Sequence, residues 1–266
     1  MPRYKMLIEY DGTAYRGWQD QTNAKTIQGT LIKTAEQVLE CNVDIQGAGR
    51  TDAGVHALGQ VAHMETQRKL PLRPTWEKLN DALPSGINIL RMEEAKPDFH
   101  ARHDAKERSY LYFISEKRTA FGKRYVWWVK DRLDLKIMEE TMSLFKGLHD
   151  FSSFADKRRN KKNSSLVKID FSTLKKQDYL LIFRFAGSHF LWKMIRRLVG
   201  ITVETGRGNL AVQDVRNMLK TTSDIPAQYT APPSGLFLER VLYEGDTWQP
   251  YQFPVWPMLT ENDPPK

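Results

Sequence analysis

A cation, a hydroxyl, a carboxylate and a glycine lie close together where Arg50, Thr51, Asp52 and Gly54 occur within five residues. An ionised carboxylate can act as a nucleophile or as a general base, and a guanidinium two residues away favours the ionised form. A loop aspartate is also commonly a turn former whose side chain binds its own backbone. The residue types therefore indicate a chemical site at Asp52, and they leave the turn-forming alternative open.

The segments on either side of this stretch have the patterns of strands. Residues 42–47 alternate polar and apolar side chains, as a half-buried strand does, and residues 57–64 are apolar enough for a second strand. Asp52 is therefore predicted to lie on a loop between two strands.

Strand-like and helix-like patterns alternate along the rest of the chain. Strands are predicted at 4–10, 43–48, 57–64, 87–92, 109–114, 166–174, 179–186 and 236–243. Helices are predicted at 26–40, after Pro71, and at 134–146, 189–205 and 211–220. This order predicts an α/β (α+β) fold of two similar units, with an N-terminal domain of residues 1–103 and a C-terminal domain of residues 104–266.

The charge of the chain limits the classes of partner. Its 266 residues include 40 Lys and Arg against 32 Asp and Glu, a formal net charge of +8, which favours nucleic acid or an anionic membrane surface. No apolar run reaches the roughly 18 residues that span a bilayer, and the N-terminal residues lack the apolar core of a secretory signal, so we expect a cytoplasmic protein outside the membrane. Cys41 is the only cysteine, which excludes an internal disulfide and a thiolate metal cluster.

One loop is strongly basic. Five of the six residues in 157–162 are Lys or Arg, beginning with Lys157, Arg158 and Arg159. A charge run of this kind is about as often plain solvated surface as a binding element. These three residues are candidates for contact with a polyanion.

A second basic group lies on the helix predicted at 189–205. At 100° per residue, Arg196 falls on a polar face with Lys193 and Arg197. The opposite half of the helix is apolar and contains Phe190, Leu191, Met194, Ile195, Leu198 and Val199. Periodicity leaves open whether Arg196 points into solvent or into a polar cleft.

The sequence indicates neither a metal nor a cofactor. Four histidines are spaced too irregularly for the i, i+4 pair of a zinc protease: His56, His63, His100 and His103. The chain has no phosphate-cradling glycine-rich loop and no Gly-x-Ser-x-Gly elbow, which excludes the common NTPase and serine hydrolase readings.

Six ordered blocks of the chain resemble the TruA family of tRNA pseudouridine synthases. The blocks are Tyr10 to Gln19, Gly49 to Ala57, Phe99 to Arg102, Gly147 to Phe154, Phe190 to Gly200 and Ala231 to Leu236. The resemblance implies two α/β domains whose mainly antiparallel sheets join into one central sheet, with helices packed on it and an active-site cleft between the domains. It also implies a homodimer.

The resemblance assigns roles to single residues. Asp52 matches the catalytic nucleophile, and Tyr110 matches the tyrosine that lies against the target base. Arg196 matches the arginine that pairs with the carboxylate, in preference to its neighbour Arg197. Arg50 matches the arginine that fills the space left by the displaced base.

The implied reaction converts uridine to pseudouridine at positions 38, 39 and 40 of the tRNA anticodon stem and loop. It breaks a sugar–base bond and remakes it at another atom of the same base, without net redox change, so no cofactor is expected. The same chemistry on another RNA, or a non-catalytic RNA-binding protein, remains as an alternative.

Overall fold

The computed structural model describes residues 1–156 and 164–248. The chain divides into two compact units, and the first contains Met1–Arg108 together with Phe237–Asp246. The second contains Ser109–Leu236 together with Thr247 and Trp248, the last two residues of the described range. The sequence placed this division at 103/104 and assigned the last strand to the second domain.

Strands and helices alternate along the described residues. The strands are β1 (Arg3–Tyr10), β2 (Asp44–Gly47), β3 (His56–Glu65), β4 (Ile87–Glu94), β5 (Glu107–Ser115), β6 (Trp127–Trp128), β7 (Gly147–Asp150), β8 (Leu166–Gln177), β9 (Leu180–Gly187) and β10 (Leu236–Leu242). The helices are α1 (Ile27–Leu39), α2 (Leu72–Ala82), α3 (Leu135–Leu144), α4 (Met194–Gly206), α5 (Val212–Lys220) and α6 (Ile225–Gln228).

The first unit is a sheet with helices on one face. Its strands run in the order β4-β1-β3-β10, and β2 also pairs with β3. The pairs are antiparallel except for β10 with β3, which is parallel. Apolar side chains from the strands and from both helices, α1 and α2, meet in the core: Met6, Leu31, Ala35, Ile45, Met64, Leu79, Leu83 and Ile89. Burial of this shared face holds the strands in register.

The second unit repeats this plan with different elements. Its strands follow the order β5-β9-β8-β7, and β6 pairs with β5. Helix α3 packs on β8 and against α4 and α5, and the Thr141 and Thr205 hydroxyls are 2.9 Å apart between α3 and α4. The predicted mixed α/β (α+β) fold, with mainly antiparallel strands and packed helices, is confirmed.

The helix predicted at 189–205 begins later than expected. Helix α4 starts at Met194, because Lys193 has a left-handed backbone with φ of 63°. Arg197, predicted on the polar face, is instead buried, and its Nη1 donates a hydrogen bond to the carbonyl oxygen of Ala155. The placement of Arg197 on a polar face was therefore wrong. The short strand β7 was not predicted.

No helix in the described ranges is long and apolar enough to cross a membrane.

A buried histidine links β3 to the segment that follows β4. His63 is 1% exposed, and its Nδ1 accepts a hydrogen bond of 3.1 Å from the Ala101 amide. Burial lowers the pKa of His63, and the nearby positive groups add to this effect. The groups acting on its charge are His100 and Arg3, which lower the pKa, and Glu65 and Asp44, which raise it.

We expect the first unit to lose stability on mild acidification. A lowered folded-state pKa means that the unfolded chain binds the proton more tightly, so the free energy of unfolding falls as the pH drops below about 6.5. Urea unfolding at pH 7.5, 6.0 and 5.0 should show this decline, and His63→Gln should reduce it. The exposed His189→Gln is the matched control and should leave the pH dependence unchanged. An equal decline in wild type and His63→Gln would contradict the prediction.

Candidate active site

The loop that contains Asp52 joins β2 to β3, as predicted. Asp52 is half-buried and Arg50 is exposed. The Val55 amide donates a hydrogen bond of 3.1 Å to the Asp52 carbonyl oxygen, which closes a tight turn at the carboxylate. The turn-forming and chemical interpretations of Asp52 are therefore compatible, because the hydrogen bond that closes the turn uses the backbone carbonyl oxygen of Asp52 and not its carboxylate.

The loop that follows β1 binds this turn through backbone hydrogen bonds. The Trp18 amide donates to the Thr51 carbonyl oxygen at 3.0 Å, and the Gly54 amide donates to the Tyr15 carbonyl oxygen at 3.3 Å. Trp18 is 1% exposed, so the contact is anchored in the core. The backbone on both sides of Asp52 is thus fixed by hydrogen bonds.

Gly17 makes this close approach possible. Its φ is +97°, and a Cβ at this position would lie 2.6 Å from the Thr51 carbonyl oxygen and 3.1 Å from the Asp52 carbonyl carbon. Only glycine combines that backbone conformation with contact at this distance.

The side chain of Thr51, the residue before Asp52, is also held by a hydrogen bond. The Tyr10 hydroxyl, on β1, and Thr51 Oγ1 form a buried hydrogen bond of 2.8 Å. The sequence placed Tyr10 at the end of the strand predicted at 4–10 and indicated no contact with the Asp52 loop. The strand alternation was the available signal, since it places Tyr10 on the buried face with Tyr4.

We expect Tyr10→Phe to slow the reaction through the position of the loop. The substitution removes the hydrogen bond between the Tyr10 hydroxyl and the buried Thr51 Oγ1, which costs about 1 kcal/mol of stability. The Asp52 loop is then held less firmly, and the single-turnover rate should fall about 3- to 10-fold. Tyr4→Phe is the matched control, because Tyr4 accepts a hydrogen bond from the Leu70 amide far along the same strand. Similar rates for both variants would contradict a positioning role for Tyr10.

A contact between a carboxylate and an imidazole lies beside the turn. Asp11 Oδ1 lies 3.1 Å from His56 Nδ1 and also accepts the Thr13 amide at 2.9 Å. Partial burial raises the pKa of Asp11, but hydrogen bonds from His56 and Thr13 outweigh it, and the pKa falls well below its usual range. The Gly12 amide also lies 3.1 Å from His56 Nδ1. It can donate a hydrogen bond to this nitrogen only when the nitrogen carries no proton, whereas the contact with Asp11 needs a proton there. We favour the carboxylate contact, because charge-assisted hydrogen bonds are stronger.

Tyr110 lies on β5 in the second unit and is half-buried. Its ring meets the ring of Phe190 edge-on, with centroids 5.3 Å apart and planes at 84°. Such a contact fixes the orientation of the tyrosine ring without covering both of its faces.

Arg196 lies in the first turn of α4 and is half-buried. Its Nε donates a hydrogen bond of 2.6 Å to the Ala231 carbonyl oxygen, and the Ala231 amide donates to the Arg196 carbonyl oxygen at 3.0 Å. Burial raises the pKa of Tyr112 well above its ordinary value, while the positive charge of Arg196 acts in the opposite direction. The guanidinium is therefore held on one edge by the backbone at Ala231, and its charge acts on the buried Tyr112.

The predicted site residues fall on both units. Asp52 and Arg50 share one loop of the first unit, and Tyr110 and Arg196 belong to the second. The basic residues predicted to bind substrate, Lys157, Arg158 and Arg159, lie outside the described residues.

One cluster in the described ranges has the residue types of a metal site. Ligand atoms of Asp44, His63 and Glu65 lie within 4.8 Å of one another. Because His63 Nδ1 accepts the Ala101 amide, the proton of the neutral ring is on Nε2, and a metal there would require an imidazolate. Glu65 is also paired with Arg3. The donor set therefore does not fit a metal ion.

A mixed α+β fold that places a carboxylate on a tightly held loop is suited to nucleophilic or acid–base catalysis. A family model described as tRNA pseudouridine synthase matches residues 6–104 and 142–244. These ranges include Asp52 and Arg196, and Tyr110 lies between them. The chain belongs to the tRNA pseudouridine synthase family, so the predicted family and the prediction of an isomerase are confirmed.

Curated relatives extend the match over most of the chain. A protein named tRNA pseudouridine synthase A from Thermodesulfovibrio yellowstonii is 38% identical over 254 residues, covering 91% of this chain and 100% of the relative. A protein of the same name from Acetivibrio thermocellus is 39% identical over 245 residues, with the same two coverages. Among solved structures, a chain of a Cbf5-Nop10-Gar1 complex aligns with TM-score 0.32 and 11% identity over 75% of this chain and 53% of that chain.

Proposed function

We propose that this chain converts uridine to pseudouridine at positions 38, 39 and 40 of the tRNA anticodon stem and loop, with Asp52 as the nucleophile. The observation that carries the proposal is the half-buried carboxylate of Asp52 on a turn held by the Trp18 and Gly54 amides. A nucleophile must meet one atom of its substrate, and a fixed backbone reduces the entropy lost in reaching it.

The reaction needs a nucleophile that can also leave. The bond between C1′ of the ribose and N1 of uracil breaks, a bond between C1′ and C5 forms, C5 loses a proton and N1 gains one. Atoms and electrons balance without a redox partner or a nucleotide. A carboxylate can add to the base or to the sugar and depart again, provided that it is ionised.

Arg196 would keep the carboxylate ionised. A guanidinium about 4 Å from a carboxylate contributes roughly 4 kcal/mol of attraction at an effective dielectric of 20. Its Nε contact with the Ala231 carbonyl oxygen supports this role, because it fixes the side chain before substrate arrives.

Tyr110 and Arg50 would act on the displaced base. Taking a base out of a helical stack costs a few kcal/mol, which stacking on an aromatic ring offsets. Tyr110 has a ring oriented by Phe190, and it would also help to remove the C5 proton, directly or through water. Arg50 is exposed on the Asp52 loop, which suits a side chain that fills the space the base leaves.

The remaining proposals concern partners. The net charge of +8 suits a tRNA substrate, to which Lys157, Arg158 and Arg159 would contribute phosphate contacts. We also propose that the protein is cytoplasmic and that it forms a homodimer. Sedimentation of the purified protein measures the mass of the assembly and so tests the dimer.

The test uses an unmodified tRNA transcript with uridine at positions 38, 39 and 40, incubated with the protein without metal or nucleotide. Carbodiimide labelling and primer extension then map pseudouridine along the whole transcript. We expect product at those positions, and none there when the transcript carries cytidine. Product only elsewhere would move the target site, and tight binding without product on any tested RNA would favour a non-catalytic RNA-binding protein.

A further inference from the structure

A basic segment of the second unit exposes two large aromatic rings. Residues 117–132 leave β5 and include β6. Phe121 is 79% exposed and Trp128 is 42% exposed. The basic side chains of the segment are all exposed: Lys117, Arg118, Lys123, Arg124, Lys130 and Arg132. This combination of flat apolar rings and cations distinguishes the segment from an ordinary solvated charge run.

The exposed rings belong to a segment whose other side is buried. Val126 and Val129 are 3% and 2% exposed, and the Val129 amide donates a hydrogen bond of 3.0 Å to the Ser115 carbonyl oxygen. Trp127 meets Tyr112 edge-on with ring centroids 6.4 Å apart. The core contacts therefore use the intervening side chains and leave Phe121 and Trp128 facing outward.

The positive charge of the segment is not cancelled by its own acidic residue. Asp131 is the only carboxylate between 117 and 132, and its Oδ2 pairs with Arg207 outside the segment at 2.6 Å. The guanidinium of Arg118 lies 5.6 Å from the centre of the Trp128 ring. A cation beside an aromatic ring is a common platform for a nucleobase and its phosphate.

We infer that residues 117–132 form an RNA-contacting surface in which unpaired bases of the substrate RNA stack on Phe121 and Trp128 while the cations contact phosphates. The inference rests on the proposed RNA substrate and names a contact surface for it beyond the active site. RNA is favoured over a protein partner, because lysine is depleted at protein interfaces and three of the six cations here are lysines.

The charge contribution is tested on the full chain with a fluorescent tRNA transcript. We expect Lys117→Gln/Lys123→Gln/Lys130→Gln to raise Kd about 10-fold or more at 0.15 M salt and to reduce the slope of log Kd against log salt by about 2. A matched triple variant changes exposed helix lysines, Lys33, Lys78 and Lys220, and should leave Kd within about threefold of wild type. Equal effects of the two triple variants would overturn the inference, since net charge alone would then explain them.

The stacking contribution has a different signature. We expect Phe121→Ser to raise Kd about 5- to 50-fold without a change in the salt slope, and Phe121→Trp to restore binding, because any aromatic ring can stack on a base. Unchanged binding by Phe121→Ser would overturn the stacking contact and leave a protein partner as the occupant of the exposed ring.

The experiments distinguish an error in the inferred RNA-contacting surface from an error in the proposed reaction. Binding is read by fluorescence anisotropy, which needs no turnover. If the inference alone is wrong, the 117–132 lysine variant binds RNA no more weakly than its matched control, Phe121→Ser binds like wild type, and the wild type still forms pseudouridine. If the proposed reaction is wrong, the wild type forms no pseudouridine on RNA that it binds, whatever the 117–132 variants do.

Discussion

Asp52→Asn is expected to lower the single-turnover rate of pseudouridine formation by roughly 10⁴- to 10⁶-fold, the range found when a catalytic nucleophile is removed. The amide keeps the size of the carboxylate but is a poor nucleophile and cannot form and release the same covalent bond. The backbone contacts of the turn use main-chain atoms of Thr51, Asp52 and Gly54, so the loop should keep its conformation. The tRNA Kd should stay within about threefold of wild type, and the loss of one negative charge favours tighter binding.

The measurement compares single-turnover product formation with saturating enzyme, so that weaker binding cannot imitate a slower reaction. Asp81→Asn is the matched control, because Asp81 is an exposed carboxylate on α2 and its removal changes the net charge equally. A rate for Asp52→Asn close to that of the control would remove Asp52 from the mechanism. Equal loss in both variants would point to charge or stability instead.

Gly200→Ala is expected to destabilise the second unit by about 2–4 kcal/mol. Gly200 is buried in α4, and a Cβ there would lie 1.5 Å from the Tyr229 carbonyl oxygen and 2.7 Å from its carbonyl carbon. Both atoms belong to the backbone, so no side-chain rotation relieves the overlap. Either α4 or the chain around Tyr229 has to move.

The same displacement should reach the candidate active site. Arg196, one turn before Gly200, exchanges two hydrogen bonds with Ala231, and both depend on the close approach of the two backbones. We therefore expect a loss of activity larger than the loss of folded protein, measured by single-turnover rates below the urea transition. Gly86→Ala is the control, because a Cβ at Gly86 meets its neighbours only at 3.9 Å and 4.0 Å. Wild-type stability in Gly200→Ala would show that the two backbones are not in close contact.

Local sequence patterns located the elements that carry the site. The alternation before Asp52 and the apolar run after it predicted a loop between strands, and that loop is present between β2 and β3. Helix α1 begins where Thr26 offers a side chain to cap it, and the Thr26 oxygen accepts the Gly29 amide. These predictions succeeded because the determining interactions lie within a few residues.

Local sequence patterns could not predict where α4 starts or that Arg197 is buried. Phe190 and Leu191 fit the apolar stripe of a helix, yet the backbone turns at Lys193 before the helix begins. Helical periodicity placed Arg197 on a polar face with Lys193 and Arg196, but the carbonyl oxygen of Ala155 lies where it can accept from the guanidinium. Periodicity carries no information about a partner 42 residues away.

The sequence by itself determined the mixed fold class, the family, the basic charge and the loop position of Asp52, because these follow from residue type, order and short-range pattern. The tertiary structure alone decided how that loop is held, through Gly17, Trp18 and the Tyr10 hydroxyl. It also decided how Arg196 is fixed against Ala231. Hydrogen bonds and close approaches of this kind join residues distant in the chain, and their geometry exists only once the apolar faces of strands and helices have packed together.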